Sequence, residues 1–170
     1  MKVVIQRVKS ASVSVDSELI SSIGKGLLVF AGIGQEDTEK DAENLVNKWK
    51  RNVQDIEGEV LCVSQFTLYA KMKKGNKPDF HDAAKPETAR RVYDYFYDKM
   101  RESYIPDRVK NGVFQAMMEV ELKNDGPVTI EINTNLPKKE PKEPKDNNKP
   151  EEEEEIKKTF EFQIPAELLE

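Results

Sequence analysis

The stretch Asn124-Asp125-Gly126-Pro127-Val128-Thr129 separates two runs of alternating apolar residues, Met118, Val120 and Leu122 before it and Val128, Ile130 and Ile132 after it. Alternation with a period of two marks strands with one buried face. Proline gives no hydrogen bond to a sheet ladder and Asn-Asp-Gly is turn chemistry, so the sequence predicts two strands, 114–122 and 128–132, joined by a hairpin turn at 124–127. A second reading gives the turn a task. Backbone groups freed at a proline must point somewhere, and a ligand is one destination. The Gly126-Pro127 bond is also of the one type that adopts cis at modest cost.

Outward from there, Val3 to Val15 holds apolar residues in near alternation, and Asp16-Ser17-Glu18 separates it from Leu19 to Ile23, which predicts a hairpin. The run Leu27-Leu28-Val29-Phe30-Ala31-Gly32-Ile33 is apolar throughout, as in a central strand covered on both faces. Thr38 and Asp41 form a capping pair, and Ala42, Leu45, Val46 and Trp49 follow at helical spacing, placing a helix over about 38–50. Pro86 opens a second helix carrying Ala89, Val92, Tyr93, Phe96 and Met100, which ends before Pro106. Its Arg90, Arg91 and Lys99 read as a solvated face. Strands mixed with two helices, without regular strand-helix alternation, indicate an α+β fold with a mixed sheet.

At 170 residues the chain is long enough for one domain with a core, and the composition assigns that domain to 1–135. Beyond it, 136–170 is rich in Pro, Lys and Glu and includes the acidic run Glu151 to Glu155, so it reads as a disordered charged tail. Phe160, Phe162 and Ile164 alternate near its end and offer a strand for docking on a sheet edge. The net charge of −5 is concentrated there, since 137–170 hold 7 Lys/Arg against 11 Asp/Glu. The remaining body is close to neutral, and Lys71, Lys73, Lys74 and Lys77 form a local basic stretch with no acid between them, a candidate tRNA contact or a solvated loop. The single cysteine, Cys62, lies in an apolar run and reads as core. With no signal-type segment and no run of transmembrane length, a reducing cytoplasm is the expected compartment and no membrane partner is expected.

A conventional hydrolase inventory is missing. His81 is the only imidazole, and nothing in the sequence places it near Ser64 or Thr67. One His and one Cys fall short of a zinc ligand set, and Gly24-Lys25-Gly26 and Gly32-Ile33-Gly34 lack the context of a nucleotide loop. No metal and no cofactor are expected.

The motif Ser64-Gln65-Phe66-Thr67-Leu68 closes the apolar run Val60-Leu61-Cys62-Val63, which puts polar residues and free backbone N–H groups at the lip of a sheet. Together with Met1-Lys2-Val3-Val4-Ile5-Gln6-Arg7-Val8, Lys74-Gly75-Asn76-Lys77-Pro78-Asp79-Phe80 and the Gly126-Pro127 element, in that order and spacing, it resembles the D-aminoacyl-tRNA deacylases, also called D-tyrosyl-tRNA deacylases. The resemblance covers about 1–133. It implies a barrel-like sheet flanked by two helices, assembled as a homodimer with active sites at the subunit interface. It also implies hydrolysis of the ester of D-aminoacyl-tRNA, with L-aminoacyl-tRNA rejected and glycyl-tRNA cleaved.

The resemblance assigns the catalytic element to Ser64, Gln65, Phe66 and Thr67. Backbone amides around Gln65, Phe66 and Thr67 would hold the substrate carbonyl, and the ribose 2′-hydroxyl would assist the attacking water. Thr67 as nucleophile is the lesser reading. It places Gly126, Pro127, Val128 and Thr129 against the substrate from the neighbouring subunit, with a cis Gly126-Pro127 bond supplying the chiral filter. Arg7, Phe114 and Met118 would support or line the pocket, and strand core is the ordinary explanation for the last two.

Two departures stand out. After Trp49-Lys50-Arg51 the chain passes almost directly to Val53-Gln54-Asp55-Ile56, where the family has a further strand and turn, so a gap or shifted edge in the sheet is expected. Gln115 follows Phe114 where the family has Gly, which would crowd the pocket or force the backbone out of a Gly-only conformation. Two other readings remain open. One is a noncatalytic interaction protein of the same fold, impaired by the missing segment. The other is a nucleic-acid-binding module using the Lys71 to Lys77 stretch.

Overall fold

A computed structural model describes residues 1–54, 57–72 and 77–134, of which 48–54 are described as backbone only. The side chains of Trp49, Lys73 and Lys74, the tail 136–170 and its Phe160, Phe162 and Ile164, for which the sequence carries expectations, lie outside what is described.

The chain runs β1 (Lys2–Val15), β2 (Glu18–Ile23), β3 (Gly26–Gly32), α1 (Glu39–Gln54), β4 (Glu59–Ser64), a 3-10 turn (Phe66–Tyr69), β5 (Lys71–Met72), β6 (Pro78–Asp79), α2 (Pro86–Ser103), β7 (Val109–Asn111) and β8 (Glu119–Asn133). The main sheet has the order β2-β1-β3-β4-β7, with β8 also paired to β1, and β5 and β6 pair separately. The β1-β2 hairpin and central β3 follow the sequence expectation. β3 is antiparallel to β1 and parallel to β4, and β4 is parallel to β7. Each parallel step needs a long crossover, which α1 and α2 provide.

Both helices pack on the same side of the sheet. Val3, Ile5, Leu27, Val29 and Ala31 meet Ala42, Leu45 and Val46 of α1 and Val92, Phe96 and Met100 of α2. The other face buries Val8, Val13, Leu28, Leu61 and Val63 in a second cluster. The successive residues Leu27, Leu28 and Val29 of β3 thus serve alternate clusters, which is why this strand reads as unbroken apolar sequence. The sheet curls until β2 approaches β7, where the Ser21 hydroxyl donates to the Asn111 carbonyl (2.6 Å). The result is an α+β fold with a nearly closed, barrel-like sheet and two helices.

α1 starts as its cap predicts. The Asp41 carboxylate accepts from the Thr38 N–H (3.0 Å) and the Thr38 hydroxyl (2.9 Å). The helix continues to Gln54, beyond the expected end near 50, because no Gly or Pro stops it before Gly58. Of the three basic residues read as solvated on α2, Arg91 pairs with Glu39 (2.5 Å) and Lys99 with Glu102 (2.6 Å). Arg90 lies over the Phe114 ring, 4.7 Å from its centroid.

The hairpin expected at 124–127 does not form. Residues 119–133 are one strand, β8, antiparallel along the whole of β1. Asn124 is opposite Val8 and Thr129 is opposite Gln6, so Asp125 to Val128 bulge out against Arg7 alone. The two alternating runs pair with β1, not with each other. Nor does the shortened connection after α1 break the sheet: β3 and β4 pair without interruption from Gly26↔Glu59 to Ala31↔Ser64.

Candidate active site

The site is built where β4 ends. The Gln65 N–H donates to the Ala31 carbonyl of β3 (2.8 Å), which fixes the first residue after the strand. The chain then folds at once into the 3-10 turn, closed by Leu68 N–H to Gln65 carbonyl (3.3 Å) and Ala70 N–H to Thr67 carbonyl (2.9 Å). A helical turn leaves its first N–H groups without intrahelical acceptors. Among the described residues, the N–H groups of Phe66 and Thr67 have no acceptor.

Both residues line a cleft of about 650 Å³. Its walls are largely apolar, formed by Ala31, Ile33, Val63, Ala84, Ala89, Phe114, Met118 and Val120, with Ser64, Gln65 and Thr67 as the polar side. Phe66 is exposed at the mouth and meets Phe80 edge-on, with ring centroids 5.3 Å apart. Phe114 packs on Tyr93 at 5.7 Å. The Met118 sulfur accepts from the Val113 N–H at 3.4 Å and sits where a side chain on Gly112 would collide with it. The sequence motif and the two pocket candidates, Phe114 and Met118, therefore come together in one cleft.

Three local features bear on how the site could work. The Gln65 amide is already donated to Ala31, which leaves the N–H groups of Phe66 and Thr67, two residues of the cleft wall, as the uncommitted pair. The Thr67 hydroxyl accepts a hydrogen bond from the Gln65 side-chain amide (2.6 Å), a group that cannot take a proton from it as a base would. Gln115 keeps the left-handed backbone of a glycine, with φ of 66°, and lines the cleft, so the backbone is not forced out of that conformation by the side chain.

Gly126, Pro127, Val128, Thr129 and Arg7 do not line this cleft. They lie on the β8 bulge, where the Gly126-Pro127 bond is cis and Gly126 has φ of 119°. Arg7 spans the bulge. Its Nε donates to the Asp125 carbonyl (3.2 Å) and lies 3.3 Å from the Asp125 carboxylate. Gly126, Pro127 and Thr129 are exposed, as are Leu122 and Ile130. Among the described basic residues, Lys71 is paired with Asp82 and Lys77 is exposed.

Other nucleophile candidates are inert or distant. Burial pushes the Cys62 thiol up to about 12, which keeps it protonated. His81 is exposed, paired with Asp79, and absent from the cleft wall.

Beneath the turn lies a polar cluster that the sequence did not reveal. Asp37 is buried; one carboxylate oxygen accepts from the Tyr69 hydroxyl (2.7 Å) and the Gly34 N–H (2.6 Å), and the other faces the Met1 ammonium (2.5 Å). Burial, reinforced by the bond to Asp37, holds the Tyr69 phenol far above its ordinary range, so it stays a donor. No short-range pattern links Asp37 to Tyr69; only the folded sheet brings them together.

Known proteins resemble this chain along nearly all of its described length. The family model described as D-Tyr-tRNA(Tyr) deacylase matches residues 4–133. A protein of Yarrowia lipolytica named D-aminoacyl-tRNA deacylase is 51% identical over 150 positions, covering 79% of this chain and 97% of the relative. A mouse protein named D-aminoacyl-tRNA deacylase 1 is 42% identical over 181 positions, covering 98% and 86%. That alignment is longer than the whole 170-residue chain, so the relative carries residues this chain lacks. A solved structure titled c-Myc DNA Unwinding Element Binding Protein superposes with a TM-score of 0.73 at 45% identity, covering 78% of this chain and 98% of its own. The chain therefore belongs to the D-Tyr-tRNA(Tyr) deacylase family, whose members are ester hydrolases acting on aminoacyl-tRNA.

Proposed function

We propose that this chain hydrolyses the ester of D-aminoacyl-tRNA, and of glycyl-tRNA, and spares L-aminoacyl-tRNA, as a proofreading step in translation. The observation that carries the mechanism is the pair of uncommitted N–H donors at Phe66 and Thr67 on the wall of an apolar cleft. Such donors stabilise the oxyanion that forms when water attacks an ester carbonyl. Water adds to the carbonyl carbon, the bond to the ribose oxygen breaks, and that oxygen leaves with a proton originating from the water. Free amino acid and tRNA result. The ribose 2′-hydroxyl of the substrate assists the water, so no side-chain nucleophile is needed.

Chiral selection belongs to the Gly126-Pro127 element, acting with Val128 and Thr129. Its place on an exposed bulge outside the cleft of its own chain supports a homodimer in which each bulge enters the partner's cleft. The outer edge of β8, which pairs only with β1 among the described residues, is a suitable contact surface. In that arrangement the carbonyls of Gly126 and Pro127 accept from the substrate α-amino group, and an L side chain meets backbone. Lys71, Lys73, Lys74 and Lys77 would meet tRNA phosphates, and the cytoplasm is the compartment where such a substrate occurs.

A second reading, nucleic-acid binding without hydrolysis, draws on the same lysines and on the DNA-unwinding-element name of one structural relative. Incubation with matched D- and L-tyrosyl-tRNA separates the two. Release from the D ester alone is expected, and equal background release from both would exclude the enzyme. Thr67→Ala is expected to keep substantial activity. A loss of several thousandfold or more, the scale of a deleted nucleophile, would overturn the backbone mechanism.

A further inference from the structure

We propose that Tyr69 and Asp37 are positioning residues that hold the Phe66–Tyr69 turn, and with it the two uncommitted N–H donors of the cleft wall, at the height and angle that hydrolysis requires. The proposal rests on the backbone mechanism above and adds to it the part of the molecule that sets its geometry.

The turn has little to hold it from its own sequence, since a single 3-10 turn has only weak internal hydrogen bonding. It is instead seated on β3 and the loop after it. A side chain on Gly32 would come within 2.9 Å of the Gln65 carbonyl and 3.0 Å of the Leu68 Cβ. One on Gly34 would come within 2.6 Å of the Tyr69 ring. The two glycines thus form a bare floor on which the turn and its tyrosine rest. Tyr69 ends the turn and points down to Asp37, and the same carboxylate oxygen also accepts from the Gly34 N–H. Floor and turn are tied through one atom.

The carboxylate is fixed in turn by the Met1 ammonium, both groups being fully buried. Lys2, the next residue, donates to the Leu68 carbonyl (3.3 Å) and lies 4.9 Å from the Tyr69 ring centroid. Neither Asp37 nor Tyr69 lines the cleft. Their effect on the reaction therefore passes through the turn. An oxyanion donor is effective because it is already aimed before charge develops, so loosening its support lowers turnover more than substrate binding.

Two variants test this without removing the buried carboxylate, whose loss would leave an unpaired buried ammonium. Tyr69→Phe deletes the tie to Asp37, while Gly34→Ala keeps the tyrosine but raises the floor and forces its ring to shift. Each is expected to lower kcat on D-tyrosyl-tRNA by about tenfold, with KM within about twofold, and to speed amide hydrogen exchange at Leu68 and Ala70. Tyr104→Phe is the control. It removes a comparable tyrosine bond, to the Gly58 carbonyl (2.8 Å), remote from the turn, and should leave kcat and that exchange unchanged.

Wild-type kcat and exchange in both Tyr69→Phe and Gly34→Ala would overturn the proposal, as would an equal kcat loss in Tyr104→Phe. If the unmodified chain released neither ester, the enzyme reading would fall, and the exchange measurement alone would still decide whether Tyr69 holds the turn.

Discussion

The cleft turn Phe66–Tyr69 and the bulge Asp125 to Val128 are both short departures from regular structure, yet they are held in opposite ways. The turn is fastened from below by Asp37, from the side by Lys2 and Ala31, and rests on two glycines. Among the described side chains, the bulge is held by Arg7, which is itself two-fifths exposed. This difference matches their proposed tasks. A donor pair that stabilises charge has to be rigid within its own chain, whereas an element that completes another chain's cleft has to stand clear of its own.

The largest effect is expected at Gly126. Its φ of 119° is a conformation that L side chains rarely adopt, and a Cβ there would lie 3.0 Å from the Arg7 guanidinium and 3.1 Å from a Val128 methyl. Gly126→Val is therefore expected to lower deacylation of D-tyrosyl-tRNA by more than about a hundredfold, since small misplacements in a site have effects of that size. The fold should survive, because a single strained residue costs about 1–3 kcal/mol. A folded variant within tenfold of the parent rate would show that the bulge has no part in the site.

That asymmetry was only half legible in the sequence. The turn announced itself, because Ser64 to Leu68 follows a run of four apolar residues and a polar segment after a buried strand must emerge somewhere. The bulge reads as a hairpin from local sequence. Leu122 and Val128 carry the same alternation on either side of it, and local pattern cannot tell two strands paired to each other from two halves paired to a third. Only the register with β1, over 100 residues away in sequence, settles that. The core was clearer. Leu27 to Ile33 and the capping pair Thr38 and Asp41 report burial and helix starts through nearest neighbours, and β3 and α1 formed there. Asp37 was passed over for the opposite reason: a lone acid ahead of a helix looks solvated until Tyr69, Gly34 and Met1 converge on it.

A smaller break is expected at Arg7. Its ion pair with Asp125 is partly exposed, and such pairs contribute about 0–1 kcal/mol to stability. Its geometric role is more specific, since the guanidinium spans the larger of the two points where β1 and β8 lose register, with Asp125 to Val128 set against Arg7 alone. Arg7→Ala should thus leave the melting temperature nearly unchanged while lowering kcat/KM by about tenfold, on the scale of one lost charged hydrogen bond. The reverse result, a large fall in melting temperature with normal turnover, would make Arg7 a structural clamp only.

The mildest change is expected at Gln115, on the cleft side. A non-glycine residue with φ of 66° bears a cost of roughly 1–2 kcal/mol in the native state, which glycine would relieve. Glycine also gains freedom in the unfolded chain, which offsets that relief by roughly 0.5–1 kcal/mol. The difference favours the variant, so Gln115→Gly is expected to raise stability by about 0.5–1 kcal/mol in urea unfolding with an unchanged m-value. Because Gln115 lines the cleft without joining the turn, kcat for D-tyrosyl-tRNA should stay within about twofold, as only a lost binding contact would be felt. A loss of stability would mean that the Gln115 side chain makes compensating contacts stronger than its backbone cost. A tenfold fall in kcat would move this residue from the wall of the cleft into the positioned machinery, and the contrast between turn and bulge would then have to include the 114–118 segment on the rigid side.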